Sequence, residues 1–197
     1  AYAMISYRPA YLKANYPAEF MTALLTSEKD NTDKIVEYID EAERMGIKIL
    51  PPDVNESFAN FTMVGEDTIR FGLSAVKNVG QGAIESIIEG REICEGFKAL
   101  PDFCECTDSR LVNKWVIESL IKCGALDSLN LRRSKIMAML PDAMDTADKL
   151  NKEKSKGQMT LFEDMSASCQ APDIKEWPES QLLNFEKEIL GFYITGH

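Results

Sequence analysis

Histidine is nearly missing from this chain: there is one, at position 197. Without a second imidazole, the commonest general base and the commonest zinc ligand are both in short supply. No Asp-x-Asp pair sits on a strand pattern and no Walker-type glycine loop is present, so neither two-metal phosphoryl chemistry nor nucleotide hydrolysis has a visible seat. Asp53 follows Pro51-Pro52 as a lone acid, which suits a turn. The five cysteines (94, 104, 106, 123 and 169) are odd in number, and Cys104-Glu105-Cys106 lacks both zinc-knuckle spacing and a second ligand pair. Reduced, partly buried thiols are expected. No apolar run reaches the roughly eighteen residues of a membrane span, and no leader pattern opens the chain. The expectation is a cytoplasmic protein with no membrane partner, and an independent enzyme is the class most strongly argued against.

What the chain does have is an ordinary apolar share, 45% of 197 residues, and a net charge of -10. That charge excludes a protein that coats nucleic acid over its whole surface. It is unevenly spread. Lys and Arg number 6 against 12 Asp and Glu over residues 1–69, 10 against 9 over 70–135, and 6 against 11 over 136–197. Only the middle third is not acidic, so phosphate contacts belong there.

The periodicity is mainly helical. Residues 1–26 are apolar and aromatic-rich, broken by Pro9 and Pro17 into short helices, and read as the interior of a larger helical region. Ile35, Tyr38, Ile39, Ala42 and Met45 recur at helical spacing between a cap at Asp30 or Asn31 and a stop at Gly46. Residues 47–71 switch to period two, with Gly65-Glu66-Asp67 as a turn, giving a short strand and a small β-hairpin. Helical pattern resumes from Leu73 to about Leu140, a polar linker spans Asp148 to Asp173, and a last helix carries Leu182, Phe185 and Ile189.

Two stretches carry a candidate chemistry. Residues 73–91 read as helix, tight turn and helix, with Lys77-Asn78-Val79-Gly80 at the turn and Gly82 just inside the second helix. In a helix-hairpin-helix motif the amides that open the second helix face a DNA phosphate, using unpaired N–H groups and the positive end of the dipole. Asn78 stands where the first glycine usually sits, and Asn tolerates the left-handed conformation. A second candidate turn is Lys122-Cys123-Gly124, followed by Arg132, Arg133 and Lys135 opening the next helix. Two such hairpins would grip a duplex without reading its sequence; ordinary core helices with glycine caps are the competing reading.

Inside the polar linker lies Gln158-Met159-Thr160-Leu161-Phe162, a hydrophobic cluster with no periodic neighbours. Gln158 can offer a donor and an acceptor while Leu161 and Phe162 fill an apolar cleft. A docking peptide and local packing against the chain's own core both fit this pattern.

Six blocks in order, "SYRPAYLKANYPAEFMTALL", "GIKILPPDVNESF", "IRFGLSAVKNVGQGAIESIIEGR", "NKWVIESLIKCGALD", the Gln-x-x-Leu-Phe peptide and "EKEILGFYITGH", resemble the alpha subunit of bacterial DNA polymerase III, the replicative C-family polymerase. The resemblance implies a fragment: the C-terminal part of a fingers domain (1–68), a tandem helix-hairpin-helix region (69–140), a linker with a clamp-binding peptide (141–176), and a helix leading to an absent OB-fold domain (177–197). It implies that the hairpins at Lys77–Gly82 and Lys122–Gly124 hold duplex DNA, with Arg132 and Arg133 beside them. It implies that Gln158–Phe162 docks on the sliding clamp (beta subunit), with other replicase subunits as further partners. The palm, where Mg2+ serves nucleotidyl transfer, is outside the chain, so no cofactor and no polymerase activity are expected of the fragment alone. A free-standing adaptor that docks a clamp or another protein without touching DNA is the alternative.

Overall fold

The computed structural model describes residues 2–155 and 173–193. Among these residues there are eight α-helices and one three-stranded sheet, so the mainly helical expectation holds. Helix α1 (Tyr2–Asn15) runs straight through Pro9, and only Pro17 marks a boundary, at the first turn of α2 (Pro17–Ser27), where a missing N–H costs nothing. Helix α3 (Thr32–Arg44) begins where expected. The Asn31 side chain accepts from the Lys34 N–H, and Gly46 past its end has φ +82°. Ala18, Met21 and Leu25 of α2 are buried, as are Ile35, Ile39 and Ala42 of α3.

The alternating residues that follow form the sheet. Strand β1 (Lys48–Leu50) pairs in parallel with β3 (Thr68–Arg70), and β3 pairs antiparallel with β2 (Thr62–Gly65). The hairpin is the one expected, and its central Ile69 is fully buried between Ile49 and Met63. Phe71, also fully buried, makes an edge contact with Phe61 at 4.7 Å between centroids and lies 5.7 Å from Phe192. The end of the last helix is thereby tied to the sheet.

The loop after β1 joins the sheet to the helices beyond. The Val54 N–H donates to the Ala125 carbonyl, and Asn55 exchanges two hydrogen bonds with the Phe97 backbone. Asp53 takes the expected turn role, its carboxylate accepting from the Asn55 N–H and the Ser128 hydroxyl. Burial raises its pKa, against those two hydrogen bonds.

Helices α4 (Gln81–Ile93), α5 (Leu100–Cys106), α6 (Lys114–Lys122) and α7 (Arg133–Ser155) then pack together. A β-carbon on Gly90 would stand 2.5 Å from the Cys106 carbonyl oxygen, so only glycine lets α4 and α5 approach this closely. That approach corrects the expectation of reduced thiols at one place. Cys94 and Cys106 are joined by a disulfide, with Cα atoms 6.6 Å apart. Cys104 and Cys123 remain free and buried, and burial pushes both thiols up to about 12. Helix α7 continues past Pro141, so the expected boundary at residue 140 falls within a helix. Helix α8 (Glu179–Leu190) ends at Gly191, whose φ is +91°.

Candidate nucleic-acid interface

The first expected hairpin is present in shortened form. Its leading element is a single 3-10 turn, Leu73–Ala75, rather than an α-helix. Val76 and Val79 are buried and anchor the turn, leaving Lys77, Asn78 and Gly80 exposed between and after them. Asn78 adopts the left-handed conformation, φ 68°, as expected for the residue in the glycine's place. Gly80 is the N-cap of α4 at φ -77°, with no side-chain cap and open space where a β-carbon would go. Its value is therefore not backbone freedom. It leaves the first amides of α4 open to an anion, at the positive end of a thirteen-residue helix. A β-carbon on Gly82 would contact the Leu111 side chain at 3.4 Å, which sets this helix start beside a second loop.

At the second expected turn, Lys122-Cys123-Gly124, the structure has a helix stop. Lys122 ends α6, and Gly124 is buried with φ +81°. The Ala125 N–H returns to the Leu120 carbonyl and the Gly124 N–H to the Ile121 carbonyl, a Schellman helix stop. The next helix, α7, has its opening amides occupied: the Arg133 and Ser134 N–H groups donate to the two carboxylate oxygens of Glu176 at 2.7 and 3.0 Å. Partial burial opposes ionisation of Glu176, but N–H donors from Trp177, Ser134 and Arg133 prevail and hold its carboxyl below the usual range.

Arg133 is itself buried. Its guanidinium meets Asp127 at 2.7 Å and Glu186 at 3.0 Å, the latter only 1% exposed. Gly124 and Arg133 are thus engaged inside the fold, Gly124 at a helix stop and Arg133 with two carboxylates. Arg132 stays half-exposed and donates to the Ile174 carbonyl at 3.0 Å.

The partner of the first hairpin is instead α5, the turn 107–113 and α6. Asp108 accepts the Arg110 N–H and guanidinium, Val112 is buried, and Asn113 caps α6 by accepting the Val116 N–H. The Arg110 hydrogen bonds pull the half-buried Asp108 carboxyl down to about 2. Lys114 and Trp115 stand outward on the first turn of α6, and Trp115 is 67% exposed. The two hairpins are tied crosswise. The Asn78 amide donates to the Ser119 hydroxyl in α6, and the Asp108 N–H donates to the Ser86 hydroxyl in α4.

The signal for this pairing was in the sequence. Ile84-Glu85-Ser86-Ile87-Ile88 recurs as Ile117-Glu118-Ser119-Leu120-Ile121, one copy in each second helix. Of the expected cations, Lys77 donates from Nζ to the Glu188 carbonyl, and Lys122 to the Glu188 carboxylate. Gln158, Met159, Thr160, Leu161 and Phe162 lie outside the described residues.

A helix-hairpin-helix motif family matches residues 46–136, which takes in both hairpins. The whole chain aligns with DNA polymerase III subunit alpha of Escherichia coli K12 at 44% identity, of Saccharopolyspora erythraea at 45%, and of Neisseria meningitidis serogroup B at 41%. In each case the chain spans 17% of the relative's length.

Proposed function

We propose, for a chain recognised along its whole length as a segment of the bacterial DNA polymerase III alpha-subunit family, that it holds duplex DNA without reading sequence and tethers the polymerase to its clamp. The observation that carries the first half is the crossed pair of hairpins, which sets the uncapped start of α4 beside the turn that opens α6. Backbone amides and Lys114 present donors and positive charge to two phosphates, Arg110 stands beside them paired with Asp108, and Trp115 offers an apolar face to the sugars between them. None of these groups recognises a base edge.

In this reading residues 1–68 are fingers scaffold and 69–140 carry the hairpins. Residues 141–176 contain the peptide Gln158–Phe162, which docks on the sliding clamp, and 177–197 lead toward an OB-fold domain. The whole cytoplasmic protein is a DNA-directed DNA polymerase working with other replicase subunits. Its Mg2+ belongs to a palm domain outside this chain. Among the described residues no cluster of His, Cys, Asp or Glu suits a metal ion, and no catalytic step is assigned to the chain.

The test is duplex binding by anisotropy over a salt series, using unrelated sequences. Equal affinities, and a log–log slope of about -0.9 for each phosphate contacted, are expected. Lys114→Ala and Arg110→Ala should each weaken duplex binding. Undetectable binding even at low salt would instead favour the adaptor reading, which the acidic balance of the chain supports. For the tether, Leu161→Ala with Phe162→Ala should remove clamp binding in calorimetry and leave the melting temperature unchanged. A large fall in melting temperature would mean that the peptide packs on its own core.

A further inference from the structure

The C-terminal turn of α8 reaches one lysine of each hairpin, Lys77 in the turn of the first and Lys122 at the end of α6. Lys77 Nζ donates to the Glu188 carbonyl oxygen at 3.1 Å, and the Lys77 backbone N–H donates to the Ile189 carbonyl at 3.3 Å. Lys122 Nζ meets the two carboxylate oxygens of Glu188 at 3.0 and 3.3 Å. One residue, at the negative end of a helix dipole, therefore offers charge and oxygen ligands to two ammonium groups, as a phosphate does. Asn78, Ser119 and Trp115 line the same cleft as Lys122 and Glu188, so this contact adjoins the proposed duplex face.

The two acidic residues of this part of α8 differ in kind. Glu186 is 1% exposed and locked to buried Arg133, while the Glu188 side chain is 56% exposed. Ile189 and Leu190 are buried as well, so the helix stays docked whatever Glu188 does. Releasing Glu188 requires only a side-chain rotation into water.

From this, and resting on the duplex reading above, we infer that Glu188 is an exchangeable stand-in for a DNA phosphate. When duplex arrives, Lys122 and Lys77 turn from Glu188 to the backbone phosphates, and α8 remains in place. Glu188 thus sets how tightly, and with what salt dependence, the hairpins hold DNA.

The consequence is specific. A lysine that meets a phosphate from solution releases one condensed cation from the DNA. A lysine that must first leave Glu188 frees a carboxylate that gathers a cation of its own, so the net release for that contact is near zero. Removing the Glu188 charge should restore the missing increment.

The experiment compares the full chain with Glu188→Gln and with Glu179→Gln, which removes the same charge from the far end of α8. Duplex affinity is measured over a salt series. Glu188→Gln is expected to bind about three- to five-fold more tightly at low salt, the scale of one exposed ion pair. It should also steepen the slope by about 0.9. Glu179→Gln should keep the wild-type slope, and in a Lys122→Gln background Glu188→Gln should no longer steepen it. Equal slopes for Glu188→Gln and Glu179→Gln, with duplex binding intact, would sink the stand-in and leave the duplex reading standing. No duplex binding by any of the proteins at low salt would sink both.

Discussion

Ser86 and Ser119 are equivalent residues of the paired hairpins. Each is the sixth residue of its helix, each is buried, and each hydroxyl accepts a hydrogen bond from the turn of the opposite hairpin. Small polar side chains at these two places let the turns lie across the helices without leaving a donor unmet. The arrangement makes the hairpins one unit, because neither turn is held by its own helix alone.

Ser86→Ala strands the Asp108 N–H at a part-buried site, and Ser119→Ala does the same to the Asn78 amide. Each is expected to cost about 1–2 kcal/mol in urea unfolding. Both should also weaken duplex binding, since each loosens a turn that presents amides. A stability loss with unaltered binding would mean that the turns do not face DNA.

Gly90 inside α4 and Gly80 at its N-cap should respond differently. Gly90→Ala drives a β-carbon to 2.5 Å from a backbone oxygen of α5, which can yield only by moving the helix. A loss of about 2–3 kcal/mol is expected. At Gly80 nothing lies within 4 Å of an added β-carbon, so Gly80→Ala should cost under about 1 kcal/mol. Its effect belongs to binding: the new methyl stands at the helix start where a phosphate would approach, and duplex affinity should fall. Thermal melts and anisotropy on the same samples separate the two outcomes.

Arg133 was a natural candidate for DNA contact by sequence, being a cation in the only non-acidic third of the chain. The structure uses its charge internally instead. Arg133→Met takes the cation away from Glu186, which is 1% exposed, and a loss of about 3 kcal/mol or more is expected in denaturant unfolding. Arg133→Met with Glu186→Met should recover much of it, because an apolar pair does not strand a buried charge. A small effect of the single change would show that Glu186 is solvated.

These cases mark what the sequence made legible. Local signals were sufficient for α3, whose cap at Asn31 and stop at Gly46 are where the pattern put them, and for the β2–β3 turn at Gly65. They were sufficient for Asn78, because a left-handed residue in a tight turn is a property of a few neighbours. They were not sufficient for the geometry at Gly124, since a glycine that stops a helix and one that opens a hairpin have the same local signature. What separates them is distant in sequence: Glu176 fills the start of α7, and Arg133 folds back onto Asp127 and Glu186. The pentapeptide repeated at 84–88 and 117–121 marks the crossed pairing that the structure has, because two helices used as equivalents need equivalent faces. Proline also misled at Pro9, where a missing donor in a largely exposed helix did not end it.

Glu176 supplies a test in pH. Its carboxylate accepts from the backbone N–H groups of Arg133, Ser134 and Trp177, which hold the folded pKa below the ordinary glutamate value near 4.3. The unfolded chain therefore binds the proton more readily, and the stabilisation is fully present above the unfolded pKa. It is lost as pH falls through the lower folded pKa. Glu176→Gln keeps an oxygen acceptor but no charge, so it should cost about 1 kcal/mol at neutral pH. That difference should shrink toward zero as the pH is lowered through the acid range. Urea midpoints of both proteins measured from pH 7 downward are expected to converge. Parallel curves would mean that Glu176 caps α7 as a dipole and not as a charge, and that the hold of residues 173–178 on α7 rests on Arg132 and Ser134, which bond the Ile174 and Lys175 carbonyls.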